Sequence, residues 1–139
     1  MRDLCIETNV CIRDDHLEAL RRARKNEKSE IAREVLDRLP ENAHVSCSER
    51  MAFCQDTGYA VFFVEPSQDT HLAGGTIEEA INEDVGRGWD EGYLRPSIVE
   101  SPIERANTGD NTPAVVYYDL VPGTGWRSPC SSRAPCATT

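Results

Sequence analysis

One stretch constrains the fold more than any other: YAVFFVE, residues 59–65. It is short, β-branched and aromatic, and apolar on both parities. A strand that alternates apolar with polar residues has one covered face, whereas apolar residues at successive positions predict a strand covered on both faces. The run is therefore expected in the interior. A chain of 139 residues makes about one domain and buries roughly two thirds of its unfolded surface, so it can fold on a hydrophobic core without staples. A second strand is read in AVVYYDLV, residues 114–121, closed by the turn residues Pro122 and Gly123.

Before the first strand the period is helical. Asp14 and Asp15 put negative charge ahead of HLEALRRARKNE, where Leu17, Leu20 and Ala23 recur near helical spacing. Ser29 starts SEIAREVLDRL, with Ile31, Val35, Leu36 and Leu39 to one side, and Pro40 is expected to break or restart the pattern. Between the strands, Gly74 and Gly75 give a turn. Thr76 with Glu79 forms a capping box for a helix with Ile77, Ala80, Ile81 and Val85 as its stripe. Helices are thus expected over about 14–52 and 76–93, and strands near 60–65 and 114–121. The fold class is mixed α and β: a helical N-terminal third, then a small sheet with a long covering helix.

Charge and cysteine usage narrow the function. There are 24 acidic and 15 basic residues, and the basic ones are scattered, so the electrostatic footprint of a nucleic-acid binder is missing. The N-terminus MRDLCIETNVCIRDD has no apolar run of the length that a signal peptide or membrane span needs, so a cytoplasmic protein is expected. The six cysteines contain no CxxC, and in a reducing compartment most are expected as free thiols. For Cys5 and Cys11, apolar packing is the expected role. His44 and Cys47 form an HxxC pair with nothing nearby to complete a metal site.

Two polar loops abut the strands: CQDTG at 54–58 and NTGDNTP at 107–113. Loops at strand ends on a rigid scaffold are where sites sit, although Asn, Asp, Thr and Gly are also ordinary turn residues. From the residues alone, Asp56 suits a turn cap and Arg95, in GYLRPS, suits an ion pair with Glu91.

Taken together, CQDTG before an apolar strand, then GGTIEEAINEDVGRGWDEGYLRPS, then NTGDNTPAVVYYDLVPG, carry a resemblance. Over about residues 1–123 the chain resembles the N-terminal part of the alpha region of iron-sulfur hydro-lyases, the class I fumarate hydratases and L(+)-tartrate dehydratases. Several separate motifs occur in the family's order at near-family spacing.

The resemblance implies a 4Fe-4S cluster held by three cysteines, with Cys54 at the position of the first ligand. An iron without a protein ligand acts on substrate as a Lewis acid. Gln55 and Asp56 match positions that touch substrate, Asp56 as the base that removes a proton from the carbon beside a carboxylate. Arg95 matches a carboxylate-binding arginine, whose planar fork suits a two-point grip. Asn107, Thr108 and Asp110 match the family's loop more weakly, as second-tier substrate contacts. Eliminating water from a hydroxy dicarboxylate needs a base, an electrophile at the leaving hydroxyl and cations for the carboxylates, and these residue types answer those needs.

The resemblance also implies what lies beyond: the other cluster cysteines, a beta region or subunit, and a homodimeric or heteromeric assembly acting on fumarate and malate or on tartrate. After VPG the chain instead runs TGWRSPCSSRAPCATT, without a period. The expected organisation is a partial alpha-region domain over 1–123 and an irregular tail over 124–139. Codons can be chosen so that a neighbouring frame of this tail reads VEITVLLKG, an alternating strand. The tail from about Trp126 is therefore read as frameshifted, with Cys130 and Cys136 accidental. Two function classes follow: a fragment of a hydro-lyase, inactive alone, or a non-catalytic truncated relative serving as a binding or assembly module.

Overall fold

The computed structural model describes residues 1–123, 126 and 127. Four helices and three strands appear in the order α1 (Arg2–Val10), α2 (Asp14–Asn26), α3 (Glu30–Glu49), β1 (Val61–Pro66), α4 (Ile77–Glu91), β2 (Val115–Tyr118) and β3 (Trp126–Arg127). The sheet order is β2-β1-β3. β1 and β2 run parallel, Val61 opposite Val115 and Phe63 opposite Tyr117. Parallel neighbours need a long crossover, and α4 supplies it. β3 is antiparallel to β1.

The predicted mixed fold, with a helical first third and a helix over a small sheet, is what forms. The core lies between one sheet face and the helices α1 and α4: Phe62 and Val64 of β1 meet Ile81, Val85 and Trp89 of α4 and Cys5 of α1. Burying a side chain such as Phe62 stabilises by about 1.5–3 kcal/mol. α4 starts as its sequence demands, because the Thr76 side chain accepts from Glu79 N and the Glu79 carboxylate accepts from Thr76 N, closing the capping box. Gly88 allows α1 and α4 to approach closely; a Cβ there would stand 2.9 Å from Cys5 Cβ.

Four expectations need correction. Among the described residues β1 is covered on one face: Phe63 is 41 % exposed and stacks on Tyr117 with ring centroids 5.1 Å apart. Its second apolar parity faces a side of the sheet that the described residues leave open. Pro40 does not break α3, which runs through it. The half-helix beyond Pro40 is anchored instead by buried Ala43 and Ser46, whose hydroxyl lies 2.7 Å from the Val10 carbonyl oxygen and 2.6 Å from that of Met51. That anchoring outweighs the lost backbone hydrogen bond. Cys11 and Cys47 are not thiols but form a disulfide between the end of α1 and the end of α3; Cys5 lies outside any disulfide and is packed in the core, as expected. Finally, the irregular tail predicted beyond Gly123 includes the two paired residues of β3. Cys130 and Cys136 lie outside the described residues.

Candidate functional site

The chain between α3 and β1 is held tightly although it is irregular. α3 ends at Arg50, whose φ of 56° reverses the backbone. Phe53 N donates to Asn9 O at 2.8 Å, and Asn42 Nδ2 to Phe53 O at 3.3 Å, so the segment entering CQDTG is tied to α1 and α3. Cys54 follows directly and is an exposed free thiol.

Thr57, three residues on, is buried and joins two elements. Its hydroxyl accepts from Trp89 Nε1 at 3.0 Å and donates to the Arg95 carbonyl oxygen at 2.7 Å. The cysteine loop is thereby fixed to α4 and to the arginine loop that follows it. Asn111 performs the same service from the third loop: fully buried at φ 60°, it accepts from Ser97 N at 2.7 Å and donates to Gly58 O at 3.0 Å. Asparagine tolerates this left-handed conformation better than most side chains. The loops CQDTG, GYLRPS and NTGDNTP, far apart in sequence, therefore form one hydrogen-bonded unit.

Where the first two of these loops meet the end of α3, a cavity of about 780 Å³ opens, lined by Arg50, Cys54, Gln55, Tyr93, Arg95 and Glu49 among others. Cys54, Gln55 and Arg95, singled out from the sequence, thus share one space. Arg95 does not pair with Glu91, which is engaged by Arg2 at 2.6 Å and Arg87 at 3.3 Å. Among the described residues no side chain holds the Arg95 guanidinium. A smaller groove of about 330 Å³ beside the start of α4 is rimmed by Glu79, Glu83 and Asp84. Its charge has the wrong sign for an anionic ligand, so the larger cavity is the better candidate.

The other predicted residues stand back from this space. Asp56 Oδ1 accepts from Gly58 N at 3.1 Å, the turn-capping role open to it from sequence, and its side chain does not line the cavity. Asn107 donates to Pro96 O at 3.0 Å and accepts from Gly109 N at 2.8 Å; Thr108 N bonds Ile98 O at 3.0 Å. Asp110 Oδ1 accepts from Thr112 Oγ1 at 2.7 Å, and this bond first of all holds the Asp110 carboxyl below the usual carboxylate range. These three residues shape the loop rather than face the cavity. Arg50 is a lining residue that the sequence does not single out; it sits at the cavity rim, engaged by Glu7 at 2.6 Å. Its only signal is its place at a helix end, two residues after Ser48, where nothing marks it as a ligand.

The sequence matches the fumarate hydratase (Fumerase) family over residues 1–129. The chain belongs to this family of hydro-lyases. Among curated relatives, it is 30% identical over 118 residues to a protein named putative L(+)-tartrate dehydratase subunit alpha from Methanocaldococcus jannaschii, covering 81% of this chain and 41% of that one. It is 32% identical over 117 residues to fumarate hydratase 2 of Leishmania major, covering 82% of this chain and 20% of that protein. The chain therefore spans less than half the length of either relative.

The described residues do not make a cluster site by themselves. Cys5 is buried away in the core, Cys11 and Cys47 are joined to each other, and Cys54 remains as the one exposed free thiol among them. No group of three or more His, Cys, Asp or Glu side chains among the described residues could hold a metal ion.

Proposed function

We propose that this chain contributes part of the active site of a hydro-lyase that adds water to, or removes it from, a small dicarboxylate, and that it is inactive alone. One observation carries the reading: Cys54, Gln55 and Arg95 line a single cavity, with the Arg95 guanidinium unpaired among the described residues. A dicarboxylate is the ligand for which an unpaired guanidinium fork beside a polar amide is suited. Arg50 also lines the cavity, but its guanidinium is held by Glu7 at 2.6 Å.

In this reading Arg95 grips one carboxylate, Gln55 hydrogen-bonds the substrate, and Asp56 serves as the base once its loop meets substrate. Asp56 is two residues from Cys54 and its second carboxylate oxygen makes none of the hydrogen bonds described, which leaves that oxygen open for a proton. Cys54 is assigned as one thiolate ligand of a 4Fe-4S cluster whose remaining ligands come from the polypeptide that completes the family's length. Asn107, Thr108 and Asp110 support the cavity through their loop. The relative named as an alpha subunit favours a beta region or subunit as partner, within a homodimer or heteromer. No helix among the described residues is long and apolar enough to cross a membrane, and a cytoplasmic location is part of the same proposal, as is a shifted frame from about Trp126 onward.

The test is turnover of the completed protein. The chain, expressed with the coding sequence that supplies the rest of the family's length, is assayed anaerobically on fumarate, malate and tartrate. Arg95→Gln should raise KM at least tenfold, a loss of about 1.4 kcal/mol of carboxylate binding, on the substrate the protein uses. An unchanged KM on every substrate sinks the assignment of Arg95.

A further inference from the structure

We infer, on the reading that this cavity takes a small dicarboxylate, that Tyr93 is a substrate-binding residue whose phenol donates a hydrogen bond to the carboxylate that Arg95 does not hold.

The backbone points to it first. α3 and α4 end in the same kind of turn: Met51 N donates to Ser46 O at 3.0 Å, and Leu94 N to Trp89 O at 2.9 Å. A helix end closed in this way puts one residue in the left-handed region, and glycine is its usual occupant. Here the occupants are Arg50 at φ 56° and Tyr93 at φ 52°, and both line the one cavity. In α4 a glycine stands one position too early. Gly92 has φ -85°, and a Cβ there would lie 2.7 Å from Gly88 O and 2.9 Å from Ile6 Cγ1. Packing thus claims the glycine and leaves the left-handed position to tyrosine.

Packing does not explain the tyrosine. Its side chain is 95 % exposed at the mouth of the cavity, so it buries almost nothing among the described residues to offset its backbone strain. Non-glycine residues held in this region cluster at ligand clamps and active sites, where the strain positions a side chain.

The other lining groups leave it one role. The Arg95 fork suits one carboxylate, and the second still needs donors. Glu49 repels an anion, Met51 and Ala52 have no polar hydrogen to give, and Arg50 is held by Glu7 at 2.6 Å. Tyr93 carries a neutral O–H donor two residues from Arg95, on a turn that Thr57 ties down through the Arg95 carbonyl oxygen at 2.7 Å.

The experiment measures binding by titration calorimetry on the chain expressed with the coding sequence that supplies the rest of the family's length. The probes are succinate and butyrate, four-carbon acids with two carboxylates and one. Tyr93→Phe should weaken succinate about tenfold or more and leave butyrate unchanged, whereas Arg95→Gln should weaken both. Tyr93→Gly should weaken succinate as much without lowering the thermal midpoint of the 139-residue chain, because glycine takes φ 52° without strain. Unchanged succinate binding in Tyr93→Phe, equal weakening of both probes, or a lowered midpoint in Tyr93→Gly would each overturn the inference. Native turnover with succinate binding indifferent to Tyr93→Phe overturns it while leaving the hydro-lyase reading intact. Succinate binding that depends on Tyr93 in a protein without turnover does the reverse, and a protein with neither turnover nor succinate binding overturns both.

Discussion

The hydroxyl of Thr57 donates a 2.7 Å hydrogen bond to the carbonyl oxygen of Arg95 while accepting from the Trp89 indole. The bond from the indole is buried, so this hydroxyl satisfies a donor that has no water to turn to. Thr57→Val should orphan the Trp89 N–H, at about 1–3 kcal/mol, measured as a lower urea midpoint of unfolding. Thr57→Ser keeps both bonds and should lose only about 0.8 kcal/mol with its methyl group. Equal stability of the valine variant and the native chain would show that the bond does not hold the loops together.

Asn111 is the second tie. Asn111→Leu removes the acceptor of Ser97 N and the donor to Gly58 O, and places a bulky side chain at φ 60°. The expected loss is again about 1–3 kcal/mol per orphaned group. Proton-exchange rates of the Ser97 amide should rise in parallel.

Much of this architecture is legible in the amino-acid sequence. The capping box of Thr76 and Glu79, the Ser29 start of α3 and the two main strands follow from local rules that the chain obeys. The two buried ties are not legible there, because Thr57 and Asn111 lie in stretches that look like ordinary turns and their partners, Arg95, Trp89, Ser97 and Gly58, are remote in sequence. Arg50 is equally hidden, since lining a cavity depends on how α3 ends against the loop after α4. The second covered face expected for β1 fails for a different reason. Both parities of β1 are apolar, but the described residues pack only on the one that carries Phe62 and Val64.

Close helix packing offers a sharp steric test. Gly88→Ala would put its Cβ 2.9 Å from Cys5 Cβ and 3.2 Å from the Arg2 carbonyl oxygen. α1 must then move away from α4, at about 1–3 kcal/mol. A lowered thermal midpoint is the expected outcome, with Cys5 becoming reactive toward thiol reagents as the contact loosens.

Asp110 sets a pH dependence. Its carboxyl is held below the usual range, chiefly by the Thr112 hydroxyl. A carboxyl depressed in the folded state contributes stability that is present above its unfolded pKa, about 3.9, and lost as pH falls through the lower folded value. Thr112→Val should therefore raise the Asp110 midpoint toward the ordinary value in an NMR titration, and acid loosening of the 107–113 loop should begin at higher pH.

The central claim is that Cys54 belongs to the chemistry of a larger hydro-lyase and does not act alone. The direct measurement is anaerobic reconstitution with iron and sulfide, followed by iron content, visible absorbance and turnover, on three samples: the 139-residue chain, the completed protein, and the completed protein carrying Cys54→Ser. We expect a colourless, inactive chain, a brown and active completed protein, and loss of both colour and turnover in the serine variant. Turnover by the chain alone, or a completed protein whose cluster and activity survive Cys54→Ser, would contradict it.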